Sequence, residues 1–264
     1  MKNSAGYRIV SLVPSLTETL CHFGLQDSIL GCTNFCVEPR TLLRSAKSVG
    51  GTKDADVEKI VELRPTHVVV NLEENTESMI AEIKRQSQVH SFKVIETFLE
   101  SPEDNFPLIE TLGNTFHFQK EAALWCEDAR ERLNLLKQKM ESGKPFRFAY
   151  FIWMNPWMVV GDKTYISRTL SLIKGENVII TGSELAQRYP AVRPEDVASL
   201  SPDWLFFSSE PFPFKNRHIE NFLQHVKTPQ MCLKVDGQAM SWYGSRFTHT
   251  LSKLEKLHGQ LFND

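Results

Sequence analysis

Two rhythms of apolar and polar residues take turns along this chain. Short apolar, β-rich runs occupy residues 7–13, 29–33, 66–71 and 92–97 of the first half, and 146–153, 205–207 and 231–235 of the second. Runs of this length between Gly, Pro, Asn and Asp read as buried strands. Between them, apolar residues recur three and four apart, the spacing of one helix face. Helices are predicted from Ser15 to about Phe23, over 57–63 ahead of Pro65, over 76–86, after Ser101-Pro102, and over 164–173, closed by Lys174-Gly175-Glu176. Ser15-Leu-Thr-Glu18 has capping-box spacing, and Asp236-Gly237 reads as a turn before a last helix opened by residues 241–246. Alternation of this kind predicts an α/β fold with mostly parallel sheets, whose ligands sit beyond the C-terminal ends of the strands.

The longest helical pattern lies in the middle. Over 118–142, apolar residues fall at Phe118, Ala122, Trp125, Ala129, Leu133, Leu136 and Met140, and Gly143 with Pro145 ends the run. On either side of it one segment recurs. Residues 57–73 (VEKIVELRPTHVVVNLE) and 194–210 (PEDVASLSPDWLFFSSE) align at an offset of 137 that pairs Pro65 with Pro202 and Glu73 with Glu210. Helix, Leu-x-Pro, strand and acidic loop follow in the same order. The chain therefore divides into an N-terminal α/β lobe at 1–113, a connecting helix at 114–144 and a C-terminal α/β lobe at 145–264. The lobes are Rossmann-like, with a cleft expected between them. A single rigid helix as the bridge implies only small inter-lobe motion.

Composition narrows the function classes. Charged residues make up 23% and the net charge is −2, so no field favours nucleic acid or an anionic membrane. No apolar run reaches the roughly 20 residues of a membrane span. Met1 is followed by no apolar stretch of a secretory signal, and the five cysteines are an odd, scattered set. Both features predict a cytoplasmic protein, or a periplasmic one if a leader has been trimmed.

Certain stretches resemble a known family: RIVSLVPSLTETLCHFGL, VGGTKDADVEKIVELRPTHVVVNLEEN, PWMVVGDKTYISRTLSLIKGENVI, RYPAVRPEDVASLSPDWLFFSSEPFPF and VDGQAMSWYGSR. Together they are similar to the periplasmic-binding-protein class whose lobes are joined by one helix. These are the helical-backbone metal receptors for cobalamin, haem and ferric siderophores, and the closest likeness is to a cobalamin-binding-like branch. The resemblance implies the class III periplasmic-binding-protein fold and a monomeric solute-binding protein with no catalytic residues. Such a protein holds a corrinoid or similar metal chelate between its lobes, for ABC-type uptake. The alternative is a cytosolic enzyme or metallochaperone that reuses the fold. Where the branch commonly carries Phe-Cys-Val-His-Pro, this chain has Phe35-Cys36-Val37-Glu38-Pro39. Glu77 fits a carboxylate that meets an ABC permease, but the offset of 137 takes it to Phe214, beside Lys215 and Arg217.

The loops expected at the cleft supply the candidate ligand-binding residues. They are Ser15, Asn34, Cys36, Glu38, Lys53, Asn71, Glu73 and Glu74 from the first lobe. The second brings Trp153, Trp157, Tyr189, Glu210, Phe212, Trp242, Tyr243 and Arg246. Aromatic faces with a few polar groups suit a flat, partly apolar ligand. A bare transition metal would need three or four converging donors, and the eight histidines sit on helices and strands rather than in these loops, so a chelated metal is expected and no protein-held metal. Glu73, Glu74 and Glu210 read either as general acids, each raising the others' pKa, or as groups that hold the lobes in register by pairing with Lys53 and Arg246. No Gly-x-Ser-x-Gly, His-Glu-x-x-His or phosphate loop supports an enzyme.

Overall fold

The computed structural model describes residues 6–182, 185–226 and 231–262, which leaves the polar lead at 1–5 outside it. The chain falls into two compact units. Unit 1 comprises Met1–Leu99, Phe106–Trp125 and Tyr243–Arg246, and unit 2 comprises Glu100–Asn105, Cys126–Trp242 and Phe247–Asp264.

Unit 1 is built on a five-stranded sheet of order β3-β2-β1-β4-β5. Its strands are β1 (Ile9–Ser11), β2 (Ile29–Cys32), β3 (Lys47–Ser48), β4 (His67–Asn71) and β5 (Lys93–Thr97), all paired in parallel. Helices α1 (Pro14–His22), α2 (Val57–Glu62), α3 (Glu77–His90) and α4 (Asn105–Phe116) follow strands or join them. Val10, Leu12, Val68 and Val70 pack against Ile60, Met79, Ile80 and Ile83 of α2 and α3. Full burial of each such side chain stabilises by about 1.5–3 kcal/mol.

Unit 2 repeats the plan. Strand β6 (Phe146–Trp153) pairs in parallel with β8 (Gly175–Asn177) and with β9 (Trp204–Ser208), which pairs in parallel with β10 (Met231–Val235). A short β7 (Met158–Val159) adds antiparallel to β6. Its helices are α6 (Tyr165–Ser171), α7 (Pro194–Ser199), α8 (Asn216–Leu223), α9 (Gly237–Ser241) and α10 (Phe247–Phe262). The core is aromatic, with Phe151 stacked on Phe207 at 4.9 Å and Phe222 edge-on to both.

The internal repeat extends to the backbone. At the offset of 137, α2 maps onto α7 and β4 onto β9 end for end. Just after each helix one residue takes a left-handed conformation, Arg64 at φ 47° and Ser201 at φ 53°. Their carbonyls are held alike. Arg8 donates from Nε to Arg64 O at 2.9 Å, and Arg147 donates from Nη1 to Ser201 O at 3.0 Å. The backbone N–H of Arg8 donates to Thr66 Oγ1, and that of Arg147 to Asp203 Oδ2.

The central pattern forms α5 (Gln119–Lys139), continued by a 3-10 turn at Met140–Ser142. Phe118, Ala122, Trp125, Ala129, Leu133, Leu136 and Met140 are all buried. The helix enters unit 1 through Trp125 and unit 2 from Cys126 onward.

Local expectations differ from the structure at three points. Residues 175–177 extend as β8 rather than closing a helix. Asp236 caps α9, its side chain accepting from the N–H of Ala239, so the Asp-Gly pair starts a helix instead of a free turn. Helix α1 begins at Pro14 with Val13 as an uncharged N-cap, which puts Ser15 inside the first turn and frees Glu18 for another partner.

Candidate ligand site

In unit 1, three loops at the C-terminal edge of the sheet are stitched together by two asparagines. Asn75 accepts the N–H of Asn71 at 2.8 Å and donates from Nδ2 to Leu12 O and Thr52 O. Asn71 Oδ1 accepts the N–H groups of Glu73 and Glu74 at 2.8 and 3.2 Å. Asn71 is buried, and its amide also donates to Thr97 Oγ1, so its side chain shapes the loop. The turn that results presents Glu73 and Glu74 just beyond β4. Lys53 spans the same edge, donating from Nζ to Glu73 O at 2.5 Å. Burial lowers the Lys53 pKa, against the pull of Glu74 and Glu73.

Glu74 is met from far along the chain. The Tyr243 hydroxyl donates to its Oε1 at 2.7 Å. Burial raises the Glu74 pKa to about 7; the Tyr243 hydrogen bond opposes this, the nearby Cys36 adds to it, and Lys53 opposes it. The Tyr243 hydroxyl is itself pushed well up, first by burial and then by the Glu74 charge. Three residues after Tyr243, Arg246 grips Glu18 in a two-pronged ion pair at 2.8 and 2.7 Å. Between them the N–H of Ser245 donates to Thr19 Oγ1, and Gly244 runs at φ +80° so close that a Cβ would meet Thr19 Oγ1 at 2.1 Å. Arg246 therefore pairs with Glu18, inside unit 1.

The loop after β2 turns Cys36 inward, fully buried, and leaves Phe35 and Val37 outward at 58% and 41% exposure. Asn34 is exposed and accepts from Ser48, and Glu38 is half-buried ahead of Pro39. In unit 2, Trp153 at the end of β6 is 41% exposed and meets Phe212 edge to face at 5.6 Å. Trp157 instead stacks on Phe214 at 5.9 Å and packs on Phe222, within the core of the unit. Glu210 Oε1 accepts Trp242 Nε1–H at 2.6 Å. Tyr189 is half-buried in the chain ahead of α7.

The structure thus gathers the predicted residues into separate sets. Ser15, Lys53, Asn71, Glu73, Glu74 and Tyr243 share one edge of unit 1, so Tyr243 and Arg246, assigned from sequence to the second lobe, sit with the first. Trp153 with Phe212, and Glu210 with Trp242, are the corresponding groups of unit 2. Sequence reading missed Phe35, Val37 and Leu72, exposed apolar residues at the edge of unit 1. Their signal was an apolar residue between loop polar residues, directly after a strand. Among the described residues, no three His, Cys, Asp or Glu side chains converge as for a metal ion, and no helix is long and apolar enough to cross a membrane.

Residues 9–229 match the family described as periplasmic binding protein. The chain belongs to that family. A vitamin B12-binding protein of Vibrio parahaemolyticus is 26% identical over 208 residues, 79% of this chain and 73% of the relative. The crystal structure of a periplasmic vitamin B12-binding protein of Vibrio cholerae matches with a TM-score of 0.77 at 19% identity, covering 98% of each chain. That of a periplasmic haem-binding protein from Pseudomonas aeruginosa matches at 0.80 and 17% identity, covering 98% of this chain and 93% of the other. The fold is the two-lobed α/β class III periplasmic-binding-protein fold. The protein is a solute-binding protein rather than an enzyme, and its family is associated with ABC transport. The expected cytoplasmic location is corrected: the family and the similar structures are periplasmic, which outweighs a reading of the first residues and of five scattered cysteines.

Proposed function

We propose that this binding protein carries a flat metal chelate, a corrinoid in first place and haem in second, for uptake by an ABC transporter. The observation that carries the proposal is Trp153, 41% exposed at the C-terminal end of β6, with the half-buried Phe212 of the chain after β9 set edge to face against it. Such rings suit the apolar faces of a tetrapyrrole. Glu73, Glu74, Lys53 and Tyr243 at the equivalent edge of unit 1 supply the polar contacts that a corrin's amides or a porphyrin's propionates require. The B12-binding and haem-binding relatives support the ligand class. Asn34, Cys36, Glu38, Asn71, Trp157, Tyr189, Glu210, Trp242 and Arg246 then shape the site from behind or at its margins. The division at 1–113, 114–144 and 145–264 belongs to the same proposal.

For docking, Glu77 is the exposed first residue of α3 and offers a carboxylate to a permease. Its counterpart at the internal offset is the buried Phe214, with Lys215 and Arg217 exposed beside it, so recognition is proposed through one carboxylate only.

The test is a titration of the full chain with cyanocobalamin, haemin and a ferric hydroxamate siderophore, following ligand absorbance and tryptophan fluorescence. Saturable binding of the corrinoid or haemin with quenching is expected. Binding of the siderophore alone, or of none of the three at tens of micromolar, would overturn the proposal.

A further inference from the structure

Unit 2 holds a cavity that the binding reading does not use. Its volume is about 890 Å3, and it opens where the end of α5 runs through Met140 and Gly143 past the C-terminal half of α10. Trp153 closes β6, whereas this cavity lies ahead of Phe146, where that strand begins. The length of the strand, about 20–25 Å, separates the two places.

Helix α10 turns one face to the cavity. Ser252, Glu255, Lys256 and Gly259 fall on it at helical spacing. A glycine inside a helix is less stable than an alanine, but Gly259 keeps side-chain atoms out of the space. The floor is buried, with Met140 7% and His258 6% exposed. Gly143 allows the His258 ring to come close, since a Cβ there would stand 3.3 Å from Nε2. That nitrogen lies 3.1 Å from Lys144 O, which fixes the ring.

The charge of the lining is unbalanced. It holds Lys139, Lys144 and Lys256 against Glu255 alone. Lys139 is committed to Glu255 at 2.6 Å, and Lys137, from the same turn of α5, to Glu103 at 2.9 Å. The carbonyl end of α5 therefore has its cations already, and Lys144 and Lys256 are in excess of them. Among the described residues neither meets a carboxylate, and Lys144 Nζ stands 5.5 Å from the centre of the Phe262 ring.

We propose that this cavity binds an organic phosphate ester, at a site separate from that of the chelate. Two ammonium groups without carboxylate partners match the double charge of a phosphate monoester. Lysine binds phosphate as a point charge, and the lining offers no arginine fork for a carboxylate. The hydroxyls of Ser142 and Ser252 add donors for the remaining phosphate oxygens. The volume falls in the range of small-molecule sites, about 300–1,000 Å3, and exceeds what a bare phosphate fills. An organic group beside Met140 takes up the rest. A free ester and a phospholipid headgroup share this chemistry.

The experiment uses the full native chain, followed by backbone amide NMR during titration with sn-glycerol 3-phosphate. A parallel arm uses inorganic phosphate, and a third measures cosedimentation with vesicles of phosphatidylglycerol in phosphatidylcholine. The amides of Gly143, Lys144, Lys256 and Gly259 are expected to shift saturably with the ester. The Lys144→Gln/Lys256→Gln variant should weaken this about tenfold or more and keep its binding of the chelate. Gly259→Leu, which fills the cavity from a helical position, should abolish the shifts. Vesicle capture that is lost in the lysine variant assigns the site to a lipid headgroup, and ester binding without capture assigns it to a free ester. The idea fails if neither ester nor vesicle binds at up to about 10 mM phosphate groups. It fails equally if both variants bind as the native chain does, or if inorganic phosphate binds as tightly as the ester, which would mean an adventitious ion only. Because the readout sits at the far end of β6 from Trp153, the result stands whether or not a chelate binds.

Discussion

At Glu74 a buried carboxyl accepts the Tyr243 hydroxyl while its pKa stands near 7, above the ordinary 4.5. Between those two values the folded protein keeps a proton that the unfolded chain has released. Stability contributed by the group is therefore full below about pH 4.5, is lost as the pH rises to about 7, and levels off above. The loss is on the order of 3 kcal/mol. Urea unfolding at pH 5 and at pH 7 is expected to show this fall in the native chain and to show most of it abolished in Glu74→Gln. The Tyr243→Phe variant removes a donor from the same carboxyl, so a destabilisation of about 1–3 kcal/mol is expected, larger above pH 7 than below. An NMR titration of the Glu74 carboxyl should move up in that variant. Sequence reading put Glu74 and Tyr243 in one candidate set because each follows a strand end or a turn. It could not join them, since 169 residues separate them and no periodicity carries information over that distance. Arg246 shows the same limit. Its charge and position suggested the cleft acids, but Glu18 competed once Pro14, rather than Ser15, opened α1 and released that carboxylate from capping.

Elements were more legible than contacts, for a physical reason. A strand or helix is encoded by neighbours within a few residues, and the repeat doubled the information for β4 and β9. The match of α2 to α7 and of Arg64 to Ser201 follows from one local design, a short helix stopped by a left-handed residue at the middle position of Leu-x-Pro. Neither Arg nor Ser is at ease there, whereas glycine is. Arg64→Gly and Ser201→Gly are each expected to stabilise the protein by about 0.5–1 kcal/mol, read as a higher denaturant midpoint with unchanged slope. A loss of stability in both would show that the residues' side chains, not their backbone angle, matter. The short β3, β7 and β8 escaped sequence reading because two or three residues carry too little pattern; they exist only where a longer strand offers an edge. On α5, Trp125 is 8% exposed and 6.5 Å from the Phe106 ring, and its Nε1 has no hydrogen-bond partner among the described residues. Truncation to Ala should cost about 3–5 kcal/mol. Trp125→Phe, which keeps a ring and removes the unpaired donor, should cost clearly less in the same unfolding assay.

For the molecule as a whole, the repeat and the strand-end loops were enough to place it in a class of two-lobed receptors, while its compartment was misjudged from its first residues. What remains to be measured is how binding and folding are linked. A ligand that binds only the native chain stabilises it by RT ln(1 + [L]/Kd), about 2.7 kcal/mol at a hundredfold excess over Kd. A corrinoid or haemin at that excess should therefore raise the unfolding midpoint, and the rise should grow with the logarithm of ligand concentration. The exposed Trp153 ring decides how much. Trp153 contributes little to unit 2's core, because it lies at the end of β6 while Phe151, Phe207, Trp157 and Phe222 form the packed cluster, with the half-buried Phe212 against it. Trp153→Ala is thus expected to leave the unliganded midpoint nearly unchanged and to weaken binding roughly tenfold, about 1.4 kcal/mol. Trp157→Ala, which empties part of the aromatic core, is expected to lower the unliganded midpoint first. If Trp153→Ala lowers the unliganded midpoint and leaves the ligand-induced rise intact, Trp153 is a packing residue and the tetrapyrrole must be held elsewhere.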